Sequence, residues 1–263
     1  MNTARLRPRA AWWPLLLAAA LVVGGCAAAR GERGLTIFAA ASLRTVVAEL
    51  EAAWLQEHPD APLTVSTEAS NVLAAQIAEG APADVFLSAD TSRPQQLAAD
   101  GRTAAAPVAF ARNDLTLVVP ADDDAIATPA DLAQPGVRLV AVSEGAPVAR
   151  YTLGAIAALA ATQPDPAAFA AAVEANVVSR EDNVRAALAK VELGEGDAAF
   201  VYVTDALGAE GVREVPLTGA AGVRAEYAAV QVSERPLAAE FVRWLSQPEA
   251  VAVIEAAGFE TAS

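Results

Sequence analysis

Short apolar runs alternate with longer amphipathic stretches along most of this chain. Leu35–Ala39 reads as a strand, and Leu43–Glu57 follows as a helix with Val46, Val47, Leu50 and Trp54 on one face. Leu63–Ser66 predicts the next strand. The polar corner Thr67-Glu68-Ala69-Ser70-Asn71 then opens a helix carrying Leu73 and Ile77, which Gly80-Ala81-Pro82 stops before a buried strand over Asp84–Leu87. Leu115–Val119 and Arg138–Val142 are further apolar strands. Between them Thr128-Pro129 reads as an N-cap followed by proline at the first helical position. A helix starts near Val148, another runs from Glu181 to Gly194, and Ala198–Val203 and Tyr227–Val232 are strands. Pro236 and Pro248 each open a terminal helix.

Strand–helix–strand repetition implies mostly parallel sheets covered by helices on both faces, with ligands at the carboxyl ends of strands. Four strand-to-helix corners of this kind fall at Ser42, Ser70, Val148 and Val184, which suggests two lobes with a cleft between them. The first is the most informative. Ile37-Phe38-Ala39-Ala40-Ala41-Ser42-Leu43 sets small residues and one hydroxyl at the start of a helix. Unpaired N–H groups and the helix dipole there attract an anion without any charged side chain.

The N-terminus changes the picture of where the chain works. Arg5, Arg7 and Arg9 precede a continuous apolar run from Leu15 to Val23, too short to span a bilayer. The run ends in Val23-Gly24-Gly25-Cys26, and Cys26 is the sole cysteine. Residues 1–26 therefore read as an export signal with a bacterial lipobox, Cys26 as the lipid-modified N-terminus, and residues 27–34 as a tether. The expected mature protein is an extracytoplasmic, membrane-anchored lipoprotein of the cell surface or periplasm, without disulfides. Loss of the signal removes three arginines, taking Lys+Arg from 18 to 15 against 32 Asp+Glu and the net charge from −14 to −17. Such acidity excludes nucleic acid as a partner, and it means that an anion would have to be held by local dipoles against the net field. About 230 mature residues suit one large domain or two small lobes.

Four strings come in order at suitable distances: Ala39-Ala40-Ala41-Ser42-Leu43, Gly80-Ala81-Pro82-Ala83-Asp84-Val85-Phe86-Leu87-Ser88-Ala89-Asp90, Asn183-Val184-Arg185-Ala186-Ala187-Leu188 and Val201-Tyr202-Val203-Thr204-Asp205-Ala206. Together, from about Leu35 to Phe259, the chain resembles the molybdate-binding proteins of bacterial ABC importers, which have the type II periplasmic-binding fold. The resemblance implies an α/β protein of two lobes, each a mostly parallel sheet flanked by helices, with the ligand cleft between them. Lobe 1 would comprise residues 35–112 plus 228–263 and lobe 2 residues 113–227, with crossings near Arg112–Leu115 and Arg224–Tyr227. It implies a monomeric receptor that binds molybdate and tungstate and delivers them to ABC permease subunits, with no enzymatic activity and no cofactor.

Carried over by position, Ser42 would donate its hydroxyl and N–H, Ser70 its hydroxyl, Val148 (in Pro147-Val148-Ala149) and Val184 their N–H groups, and Tyr202 its phenol. The corner before Ser70 departs from the serine- or glycine-rich run usual in the family, and Glu68 is unexpected there. The chemistry is consistent: a tetrahedral dianion needs converging donors, each charge-assisted bond contributing ~1.5–3 kcal/mol, and no lysine or arginine is required. Donors alone favour a fully ionised oxyanion over hydrogen phosphate, whose proton needs an acceptor.

Plainer roles compete at each position. Ser42 and Ser70 could be N-caps, and Tyr202 a core tyrosine. Asp84, Asp90 and Asp205 read as caps or ties between strand ends, and Arg150 and Arg185 as solvated or interlobe salt-bridge residues. No Gly-x-Ser-x-Gly elbow is present, and the sole histidine, His58, sits where a helix ends, so a hydrolase has little support. One histidine and one cysteine cannot ligate a free metal cation. The remaining alternatives are a receptor of the same fold for another oxyanion, such as sulfate or a phosphonate, and a tethered structural or adhesive protein.

Overall fold

The computed structural model describes residues 34–262; the expected export signal, with Cys26, and the expected tether up to residue 33 lie outside the described residues. β1 (Leu35–Ala40) is buried at every position but Thr36, as expected of a strand covered on both faces. A single 3₁₀ turn (Ala41–Leu43) leads into α1 (Arg44–Glu57), followed by β2 (Leu63–Glu68), α2 (Ser70–Ala78), β3 (Val85–Ser88) and α3 (Ser92–Ala99). β4 (Val108–Pro120), β5 (Leu139–Val142), α4 (Pro147–Ala160), α5 (Pro166–Ala175), β6 (Val177–Glu181) and α6 (Val184–Glu192) come next. The chain ends with β7 (Ala198–Tyr202), α7 (Val203–Ala206), β8 (Val212–Val215), β9 (Arg224–Gln231), α8 (Pro236–Trp244), α9 (Pro248–Ala256) and β10 (Glu260–Thr261).

The strand order is β2-β1-β3-β9-β4-β7-β5-β6, with β8 and β10 also paired to β4. β1 is parallel to β2 and β3, with Ile37 opposite Val65 and Val85, and β5 is parallel to β6 and β7. Every pairing that involves β4 or β9 is antiparallel. Two parallel α/β halves are thus joined by a pair of strands running side by side. β4 pairs with β9 as far as Asp114, opposite Arg224, and with β7 from Leu115, opposite Tyr202.

The departures from the sequence reading have local causes. The strand expected at Leu115–Val119 begins at Val108, because β9 and β10 pair with a stretch whose Arg112, Asn113 and Asp114 give it no apolar pattern. The helix expected from Glu181 starts at Val184; Val177–Glu181 instead forms β6, last in the strand order, where alternate side chains are exposed. α3, α5, α7, β8 and β10 lie outside the sequence reading, which also extends the β7 strand to Val203, the first residue of α7. For α5 a signal existed: Asp165 precedes Pro166, and its carboxylate accepts the Ala168 N–H at 3.0 Å.

One packing centre fixes the terminal helices. Trp54 of α1 lies edge-on to Phe241 and Trp244 of α8, with centroids 5.2 and 5.3 Å apart, and donates its indole N–H to the Ala61 carbonyl at 2.9 Å. His58 stacks on the same indole at 3.6 Å, which gives the histidine a packing role. Asp84 ties strand ends as expected, accepting from Thr36 N–H, the Ser233 hydroxyl and the Arg235 guanidinium at 2.6–2.8 Å. Among the described residues no helix is long and apolar enough to cross a membrane.

Candidate anion-binding site

The four corners meet. Ser42, Ser70, Val148, Val184 and Tyr202 line one pocket, together with Ala40, Ala41, Ala69, Ala89, Ala146, Pro147 and Asn183. Half of this lining comes from the β1–β3 half of the molecule and half from the β5–β7 half. The pocket is a narrow cavity of about 20 Å³. That is far below the usual range for organic ligands and leaves room only for a small ion.

On the first wall, small side chains bring the backbone close. The turn after β1 presents Ser42, whose Oγ lies 3.0 Å from the Tyr227 hydroxyl. Ser70 is the first residue of α2, and Ala69, not Ser70, is the N-cap; neither serine makes a side-chain capping bond. The plain N-cap role is therefore excluded. Ser70 Oγ accepts the Ala89 N–H at 3.0 Å, which occupies an acceptor site and leaves the hydroxyl proton to be donated. The N–H groups of Val72 and Leu73 already reach the Ala69 carbonyl, so those of Ser70 and Asn71 are the first-turn donors without an intrahelical partner.

The second wall works through its backbone. Pro147 at the first position of α4 carries no N–H, and the Ala149 N–H bonds the Ala146 carbonyl at 3.1 Å. That leaves the Val148 N–H at the helix start. In α6, Asn183 is the N-cap: its Oδ1 accepts the Ala186 N–H at 3.0 Å and its carbonyl the Ala187 N–H at 3.2 Å, leaving those of Val184 and Arg185. Val148 and Val184 have their side chains in the core, and both residues border the pocket at helix starts, where a first-turn N–H has no intrahelical partner.

Tyr202, at the end of β7, is 1 % exposed, and its hydroxyl finds no partner among the described residues. A buried phenol in that condition is costly unless something accepts its proton. Burial, and secondarily the neighbouring Tyr227, raises its pKa well above the ordinary value, so it stays a neutral donor. Below it, Asp205 accepts the Tyr202 N–H at 3.4 Å and pairs with Arg185 at 3.3 Å; burial raises its carboxyl to about 7 despite that arginine.

Contacts between the two halves surround the pocket. Arg93 of α3 donates to the Gly145 carbonyl at 2.9 Å. Arg150 of α4 reaches Asp90 at 3.5 Å, and Asp90 also accepts from Ser88, Ser92 and the Arg93 N–H. Glu68 meets Asn183 at 2.7 Å. No lysine or arginine lines the pocket, and no cluster of three or more metal-ligating side chains occurs among the described residues.

Sequence reasoning missed Tyr227 and Asn183. Asn183 was readable, since an asparagine before Val-Arg-Ala is an N-cap signal. Tyr227 was not, because a tyrosine in an apolar strand carries no mark of what its hydroxyl touches.

Residues 35–260 match the family model described as bacterial extracellular solute-binding protein. The chain is 32% identical over 235 residues to the molybdate-binding protein ModA of Mycobacterium tuberculosis, covering 88% of this chain and 85% of that protein. Among solved structures, the periplasmic molybdate-binding protein of Azotobacter vinelandii superposes with a TM-score of 0.71 at 23% identity, covering 87% of this chain and 100% of that one. The sulfate-binding protein SubI of M. tuberculosis gives 0.75 at 20% identity, covering 86% of each. The likeness in fold confirms the two-lobed α/β architecture. Matched over nearly all of its described length, this chain belongs to the bacterial extracellular solute-binding proteins of ABC transporters, and it is a receptor rather than an enzyme.

Proposed function

We propose that this protein captures molybdate, and its near-isostere tungstate, outside the cytoplasm and delivers it to the permease of an ABC importer. The observation that carries the reading is the convergence on one small pocket of helix-start N–H groups, two serine hydroxyls and the unpartnered Tyr202 phenol, with no cation in the lining. The ModA relative, named as molybdate-binding, supports the choice of ion. Five charge-assisted bonds of ~1.5–3 kcal/mol each amount to roughly 7.5–15 kcal/mol before association costs, the order of magnitude that micromolar binding (roughly −8 kcal/mol) requires. Ser42, Ser70 and Tyr202 donate hydroxyls, and Val148 and Val184 donate N–H groups. Longer bonds in molybdate would let one ion reach all of these, whereas sulfate would leave some out of reach.

In this reading lobe 1 is residues 35–112 plus 228–263, lobe 2 is residues 113–227, and the paired strands β4 and β9 form the hinge. Ligand favours the closed form because only that form engages both donor sets. Cys26, by its lipobox, holds the monomeric receptor at the membrane. Titration calorimetry with molybdate, tungstate, sulfate and phosphate tests the assignment. Micromolar or tighter binding of the first two, and much weaker binding of the others, is expected. Silence with molybdate and tungstate alongside binding of sulfate would replace it with a sulfate receptor.

A further inference from the structure

Glu68 is the residue at which this chain departs from the pattern its resemblance implies, and the structure gives it a task. One oxygen, Oε1, accepts two N–H groups: that of Ala69 at 2.8 Å and the side-chain amide of Asn183 at 2.7 Å. Ala69 is the N-cap of α2, which carries Ser70. Asn183 is the N-cap of α6, which carries Val184. A single carboxylate oxygen therefore spans the start of a helix on one wall and the start of a helix on the other. Both caps line the pocket.

The Asn183 amide is fixed at both ends. Its oxygen takes the Ala186 N–H at 3.0 Å and its nitrogen faces the carboxylate, so Glu68 also selects the amide orientation that caps α6. A carboxylate holds two donors more strongly than a neutral acceptor would. Placing a negative charge beside an anion pocket works against the anion, so its presence requires a gain elsewhere, and this clamp supplies one.

We infer that Glu68 is a positioning residue that sets the width of the pocket between Ser70 and Val184, and so the discrimination between larger and smaller tetrahedral oxyanions. The inference rests on the reading of this pocket as an oxyanion site. Without the clamp the two helix starts are free to shift, donors fit the larger ion less well, and its advantage over sulfate shrinks.

Calorimetric titrations with molybdate and sulfate test this on wild type, E68A, E68Q and N183D. The N183D change keeps an acceptor for the Ala186 N–H but sets a second carboxylate against Glu68. E68A and N183D should each lose molybdate affinity roughly ten- to hundredfold, with a smaller change for sulfate. E68Q keeps an oxygen that accepts from both Ala69 and Asn183, so it should lose less than E68A. A merely structural role would lower thermal stability without moving the molybdate-to-sulfate ratio. Wild-type ratios in both E68A and N183D would overturn the clamp while leaving the oxyanion site intact. Should E68A not fold, E68Q and N183D decide alone. Failure of the wild type to bind either ion would overturn the reading of the pocket and this inference with it.

Discussion

The two walls of the pocket solve one problem with different materials. The β1–β3 wall supplies side-chain hydroxyls, Ser42 and Ser70, from corners otherwise built of alanine. On the proposed reading, the β5–β7 wall supplies backbone N–H groups at Val148 and Val184, whose side chains belong to the core, and adds one phenol from Tyr202. Serine chemistry is exposed to substitution: removing one atom removes the donor. Backbone chemistry is indifferent to most side chains, yet it depends wholly on the helix start. One ligand, on that reading, would impose strict residue identity on one wall and only strict geometry on the other.

Proline at position 184 attacks the backbone wall directly. Val184 is the first residue of α6, where proline is favoured, and Asn183 already has the extended conformation that precedes proline (φ −150°, ψ 170°). Val184→Pro should thus keep the helix while deleting the donor and placing a ring carbon at the pocket. We expect molybdate affinity to fall by about 3 kcal/mol or more, against about 0.4 kcal/mol or less for Val184→Ala. Calorimetry on the pair checks this, and equal losses would mean that the valine side chain, not its N–H, matters. Ser42→Ala on the opposite wall should cost about 1–3 kcal/mol in binding.

A third test concerns the charge buried behind the backbone wall. Asp205 has a folded-state pKa of about 7, raised by burial, against about 3.9 in an unfolded chain. The folded protein therefore keeps a proton that the unfolded chain releases between these values. The stability contributed by this group falls as pH rises from about 4 to about 7, by about 4 kcal/mol, and is level above that. The difference in thermal midpoint between wild type and Asp205→Asn, followed across that range, isolates it from other carboxylates. A difference that rises with pH instead would show that the Arg185 pairing outweighs burial.

The contrast between the walls also explains what the sequence could tell. Ser42 and Ser70 were visible because a hydroxyl at a strand-to-helix corner is chemically distinct from its alanine neighbours. Val148 and Val184 were visible as strand-to-helix corners, but their N–H roles were implied only by resemblance, since an N–H group is common to nearly every residue and local pattern does not say which will face a ligand. The regular strands β1, β3, β5 and β7 were legible from continuous apolar runs. The Val108–Asp114 part of β4 and all of β6 were not, because crossing and edge strands carry polar side chains. Glu68 appeared only as an oddity, because its partner Asn183 lies 115 residues away along the chain.

The smallest expected effect falls where the walls meet. Tyr227 lies on β9, beside the crossing between the halves, and is fully buried; its ring is 5.7 Å from that of Tyr202, and its hydroxyl is 3.0 Å from Ser42 Oγ. For Ser42 to donate to an anion, its oxygen should accept from Tyr227, so the phenol sets the direction of the serine proton without touching the ligand. Burial keeps Tyr227 protonated, with its pKa raised well above the ordinary value. Tyr227→Phe preserves the ring packing and removes only this hydroxyl. Molybdate binding should weaken by about 0.5–1.5 kcal/mol in wild type and by much less in a Ser42→Ala background. Equal losses in both backgrounds would detach Tyr227 from Ser42 and assign its effect to the strand crossing.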